Sequence, residues 1–149
     1  MAENRFDALL PQEIAHRAEA VGEIRASLDF LSTVGLGTLA GAFIAMGAAF
    51  STTVATGSAA LPFGVGRLLA GLTFCLGLIL VVVAGAELFT GNTLIVMAWA
   101  SGRVSTRAVL RNWSLVYLGN FVGSVVTAVI IVLARYHYNG GTAVGKTAL

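Results

Sequence analysis

The sequence is short of charge and of cysteine. Lys, Arg, Asp and Glu make up 11% of its 149 residues, where soluble domains carry about 25%. So few charges cannot cover the surface of an ordinary water-soluble enzyme. The single cysteine, Cys75, excludes an intrachain disulfide. It lies inside an apolar run and is expected to be a small buried hydrophobe. The formal net charge of +2 is too weak to argue for a nucleic-acid partner. No apolar stretch of signal-peptide type follows Met1, which argues against a cleaved secretory leader. Metal-ligand clusters and nucleophile–base pairs are missing, and "GVGRLLAG" lacks the spacing and strand context of a phosphate loop. An enzyme, a cofactor and a bound metal are therefore not expected.

What is present is apolar sequence. Hydrophobic residues account for 57% of the chain, and the mean hydropathy is +0.87. The reading is an all-α integral membrane protein with the lipid bilayer as its surroundings. Phe30 to Phe50 runs 21 residues without a charge, against the roughly 20 needed to cross a bilayer. Gly37 and Gly41 in it form a GxxxG pair, with Ala45 one turn later, a stripe that lets another helix approach closely. A second run, Leu68 to Ala100, has 33 residues. As one straight helix it would be about 50 Å long against a hydrocarbon core of about 30 Å. It also holds Glu87 between Gly85 and Gly91. A helix broken near residues 84–92 is expected, with halves near Leu68–Val83 and Thr93–Ala100. The third run, Trp113 to Leu133, carries a second GxxxG pair, Gly119 and Gly123, with Asn120 between them.

The flanks complete the picture. Residues 1–29 hold six of the seven acids. From Pro11 they are expected to form an amphipathic surface helix with Ile14, Ala18, Val21 and Leu28 on its apolar stripe. Arg103, Arg107 and Arg111 share a helical face in a loop flanked by Trp99 and Trp113, which marks a cytoplasmic loop beside an interfacial aromatic belt. The N-terminus is then cytoplasmic, and the C-terminal end, with its loop-like tail "NGGTAVGKTAL", lies outside. An odd number of spans suits an inverted-repeat architecture, in which two three-span units of opposite orientation build a site between them.

The stretch from Val82 to Gly91, "VVAGAELFTG", resembles the signature of the formate/nitrite transporter family at every position. "RFDALLPQEIA", "LPFGVGRLLAG" and "ASGRVSTRAVLRNWSLVYLGNFVGS" extend the resemblance, towards the formate branch. It implies an aquaporin-like fold of six spans made of two inverted repeats, of which this chain is the N-terminal one. It also implies a homopentamer in the cytoplasmic (inner) membrane that passes small monovalent anions such as formate or nitrite.

By the same resemblance Phe74 and Leu78 line the pore on the first half of the broken helix. Leu88, Phe89 and Thr90 narrow it from the loop, with the threonine hydroxyl as a polar group. Gly85, Glu87 and Gly91 shape that loop. Glu87 would repel an anion, so it is read as structural, accepting hydrogen bonds from loop backbone N–H groups. The half-helix start near Asn92 and Thr93 is a candidate anion contact. Asn120 is read as a helix-contact residue. The family's pore histidine has no counterpart in His16 or His137, and its second signature is not found, so the sequence is read as the first half of a longer protein. A three-span structural or assembly subunit without transport of its own is the alternative.

Overall fold

The computed structural model describes residues 9–149. Glu3, Asp7 and the first part of "RFDALLPQEIA" precede these, so the readings made on them lie outside the described residues. The described chain is helical throughout. A surface helix α1 (Pro11–Ser27) leads into α2 (Phe30–Ala55), and α3 (Phe63–Ala84) follows after a 3-10 turn at Ser58–Ala60. Two short helices, α4 (Phe89–Asn92) and α5 (Ile95–Ala100), precede α6 (Thr106–Leu133) and a terminal α7 (Ala143–Ala148). Three of these, α2, α3 and α6, are long and apolar enough to cross a membrane.

Local chemistry sets the boundaries. Pro11 opens α1, and Glu13 reaches back to accept from the Leu10 N–H at 2.8 Å. Asp29 caps α2 by accepting from the Ser32 N–H at 3.0 Å. The hydrogen bonds from the Ser32 hydroxyl and amide hold the Asp29 carboxyl below its ordinary range. Gly57 turns the chain after α2 with φ of 77°. Gly85 ends α3 with φ of 62°, a left-handed conformation that suits glycine. Ser105 caps α6, whose first residue lies seven positions before the expected start of the third span, so Arg103 sits in the loop while only Arg107 and Arg111 ride on the helix.

Two seams of small residues hold the long helices together. On α2 and α6, Gly37 and Gly41 meet Gly119 and Gly123 with backbone against backbone. A Cβ on Gly41 would run into the Asn120 carbonyl, and one on Gly123 into that of Thr38. A second seam joins α2 to α3, where a Cβ on Gly77 would lie 2.7 Å from the Phe43 carbonyl and one on Gly47 would lie 2.9 Å from that of Phe74. In both cases missing side chains give the van der Waals contact that association in lipid requires.

Three expectations change, and α1 docks by a face other than its apolar stripe. The stripe foreseen on α1 is not the buried one: Ile14 and Val21 are exposed, while Gly22 and Ala26 are buried. Gly22 is the point of closest approach, since a Cβ there would sit 3.2 Å from the Ala98 side chain and the Ile95 backbone. Cys75 is exposed on the surface of the chain rather than buried, because α3 turns most of its apolar surface outward. The tail is not loop-like throughout: α7 and the turn Tyr136–Tyr138 pack on the end of α2, where Thr53 and the Tyr136 hydroxyl are 2.6 Å apart. Trp113 is not a free interfacial aromatic, since its Nε1 donates to the Asn92 carbonyl at 2.9 Å.

α1 is also tied down by charge. Ser101 Oγ donates to Glu19 Oε1, and Arg103 lies 3.2 Å from Glu19 Oε2. The Ser101 hydrogen bond, with help from Arg103, lowers the Glu19 pKa.

Two predictions follow from these contacts. Gly123→Ala and Gly41→Ala should each destabilise the folded protein by about 1–3 kcal/mol, the usual cost of overpacking. Gly35→Ala, with open space at its Cβ, should leave it within about 0.5 kcal/mol of the parent. Thermal unfolding in detergent reads both. For Glu19, the folded state favours the carboxylate, so its tether is complete above the ordinary value of 4.5 and is lost as pH falls through the lowered folded value. Protection of the α1 amides, taken relative to their intrinsic exchange rate at each pH, should fall on acidification, and Glu19→Gln should remove that pH dependence.

Candidate functional site

The break in the second apolar run is the chemical centre of the molecule. Gly85 stops α3, residues 85–88 are extended or turned, and the chain re-enters helix at Phe89. Backbone released in this way needs partners at membrane depth. The Glu87 N–H donates to the Leu36 carbonyl of α2 at 3.2 Å. Asn120, from the α6 seam, does most of the remainder. Its Oδ1 accepts from the Phe89 N–H at 2.9 Å, and its Nδ2 donates to the carbonyls of Gly37 at 2.8 Å and Glu87 at 2.9 Å. One side chain thus joins α2, α6 and the loop.

Glu87 is buried, and its partners are side chains rather than the loop N–H groups expected. Asn92 Nδ2 donates to Glu87 Oε2 at 2.5 Å, and Arg25 Nε lies 3.7 Å from Oε1. The network extends further. Arg25 Nη1 donates to Asn92 Oδ1 at 2.7 Å, Asn92 Nδ2 donates to Asn112 Oδ1 at 2.9 Å, and Asn112 Nδ2 donates to the Arg25 carbonyl at 3.0 Å. The three residues close a ring that fastens α1 and α6 to the loop. Asn92 and Asn112 are fully buried.

A cavity of about 400 Å³ opens beside the break, lined by Arg25, Leu78, Val81, Leu88, Thr90 and Gly91, with Gly85 also at its wall. It brings together three of the five residues expected along the pathway. Thr90 is exposed to it, and no hydrogen bond from the Thr90 hydroxyl to a described residue is formed. Phe89 does not line the cavity, because its ring packs edge-on against Trp113 and Tyr117, with centroids 6.2 and 5.6 Å away. Phe74 lies on α3 one turn from Leu78, exposed and outside the cavity wall.

The N–H groups of Asn92 and Thr93, a candidate anion contact, are occupied. They donate to Leu88 and Phe89 carbonyls at 3.0 and 3.1 Å, because the helix restarts earlier than expected. Gly91 is close to Arg25: a Cβ there would lie 3.1 Å from Nη1. A larger cavity of about 550 Å³ lies at the other end of α2 and α3, near Ser58, Arg67 and Thr147, and touches none of the expected site residues.

Sequence reasoning missed Arg25, Asn92 and Asn112 as a set. The available signal was indirect: the Gly22/Ala26 spacing marks a docked face on α1, and Arg25 sits beside it.

Comparisons with known proteins bear on the family and the fold. The family model described as "Formate/nitrite transporter" matches residues 12–149. The protein named "Formate channel FocA" from Escherichia coli (strain K12) is 44% identical over 133 residues, covering 89% of this chain and 47% of that protein. Its namesake from Haemophilus influenzae is 46% identical over 128 residues, covering 83% of this chain and 44% of that protein. A solved structure described as "Pentameric formate channel with formate bound" superposes with a TM-score of 0.70 at 37% identity, covering 93% of this chain and 49% of that one. The chain spans about half the length of the curated relatives it matches.

The ion pair gives a prediction of its own. Arg25→Ala leaves the Glu87 carboxylate buried without its cation and should cost about 3 kcal/mol. The double variant Arg25→Ala with Glu87→Gln should recover most of that loss in the same unfolding measurement, since no unpaired charge remains.

Proposed function

The chain belongs to the formate/nitrite transporter family, and from that premise we propose that it forms the N-terminal repeat of a subunit that passes small monovalent anions, formate foremost, across the cytoplasmic membrane. It is a multi-pass membrane protein. The observation that carries the reading is the cavity at the broken helix, where Leu78 and Leu88 supply apolar wall and Thr90 a hydroxyl without a hydrogen bond to any described residue. An apolar constriction resists water and hydrated ions. A hydroxyl placed in it can donate to an anion that has shed part of its shell. Burial of Glu87 against Arg25 and Asn92 keeps the carboxylate out of the cavity wall and balances its charge.

The same reading orients the protein. Arg103, Arg107 and Arg111 lie on the side of the molecule where α1 docks: Arg103 pairs with Glu19, and Arg111 Nη1 donates to the Leu28 carbonyl at 3.0 Å. The bias of basic residues supports a cytoplasmic assignment for this side, and for α1 with it. Only 11% of the most apolar window of α3 is buried within the chain. Lipid, a second, inverted repeat and neighbouring subunits of a pentamer together would cover such a helix.

Formate entry into proteoliposomes tests the proposal. Protein purified from its native membrane should carry formate, and Thr90→Val should lower flux about tenfold, the worth of one hydrogen bond to a charged group, with assembly unchanged by size-exclusion chromatography. Unchanged flux in the variant removes Thr90 from the pathway. Absence of formate flux in the parent protein overturns the reading.

A further inference from the structure

We propose that Asn92 is a positioning residue for anion selection, holding Leu88 and Thr90 in place against the cavity; this rests on the transport reading above. The argument is geometric. Leu88 and Thr90 lie on a stretch anchored at one end by Asn120, which accepts from the Phe89 N–H. At its other end the four-residue helix α4 stops at Asn92, and there every polar atom of Asn92 is engaged. Its N–H donates to the Leu88 carbonyl at 3.0 Å, and its carbonyl accepts from Trp113. Its carboxamide accepts from Arg25 and donates to both Glu87 and Asn112.

The side chain therefore fixes α4 against three separate parts of the chain: α1, the loop and α6. The charged groups facing it are Arg25 from α1 and Glu87 from the loop, while α6 presents the neutral Asn112 and Trp113. Only a group with two donors and one acceptor fits this arrangement. A carboxylate would set oxygen against oxygen at Glu87 and Asn112. A hydroxyl is too short to span the three partners. Neither substitution touches the cavity, whose wall does not include Asn92. A change in selection among anions then passes through the wall residues that Asn92 holds, Leu88 and Thr90 through α4 and Arg25 through its bond to the Asn92 carboxamide, because small misplacements at a constriction alter discrimination.

The test compares entry of formate and of lactate into proteoliposomes, per assembled protein, for the parent, Asn92→Asp, Asn92→Ser and the exchange Glu87→Gln/Asn92→Asp. The formate-to-lactate flux ratio should shift by at least about threefold in both single variants, a factor expected of a loosened supporting contact. The exchange, which restores the contact between residues 87 and 92 and that with Arg25 but not the one with Asn112, should bring the ratio part of the way back. If Asn92→Asp does not assemble, the shorter Asn92→Ser carries the comparison. A ratio that stays at the parent value, whether total flux falls equally for both anions or not at all, overturns the proposal and leaves the transport reading standing. A parent protein that passes no formate overturns both.

Discussion

Interrupting a membrane span frees backbone N–H and C=O groups where no water can pair them, and the rest of this structure answers that demand. Gly85 makes the interruption by ending α3 in a left-handed turn. The groups released are then met from two directions. The Leu36 carbonyl on α2 accepts from Glu87, and the Asn120 carboxamide on α6 reaches both Phe89 and Glu87. Asn120 can reach them only because α6 lies close to α2, and that closeness depends on glycine at 37, 41, 119 and 123. The glycine seam is thus more than a packing motif. It brings a polar side chain within reach of two backbones and a loop at once.

Charge presents the second demand. Glu87 is the only acid between Phe30 and the end of the sequence, and a carboxylate at the break would oppose an anion pathway unless it were balanced. Arg25 balances it from outside the three spans. The surface helix is therefore a component of the site, joined through the Arg25, Asn92 and Asn112 ring. Its docking follows from small residues rather than large ones. Gly22 and Ala26 let α1 lie against α5, and this contact places the Arg25 side chain beside the loop.

How much of this the sequence discloses depends on whether a signal is local. The break was legible because one run was too long for a bilayer and held an acid between glycines. The glycines of the α2–α6 seam were legible because pairs four apart advertise themselves in each partner, but the sequence did not say that the two pairs meet each other. The Gly47–Gly77 seam was not, since it pairs single glycines from separate runs with no shared spacing. The Arg25–Asn92 bond was not, because its partners are 67 residues apart and neither stands out in its own segment. The docking face of α1 was not legible because amphipathic patterns are sought in large apolar residues, whereas that face is made of small ones. Phe89 shows a related limit: the signature places it in the loop, but only the structure shows its ring turned to Trp113 and Tyr117.

The two demands together explain a division of labour between the asparagines. Asn120 meets the backbone, so its partners are a carbonyl on α2 and two groups on the loop, and it would be needed at any interrupted span of this shape. Asn92 and Asn112 meet side chains and a helix carbonyl, and they are needed because the loop carries a charge. Replacing Glu87 by an apolar residue would leave the first requirement intact while emptying the second of its purpose. Arg25 would then be the unpaired charge beside the loop. The acid, the cation and the two carboxamides form one electrostatic unit, and the surface helix stays against the membrane domain partly because that unit holds it there.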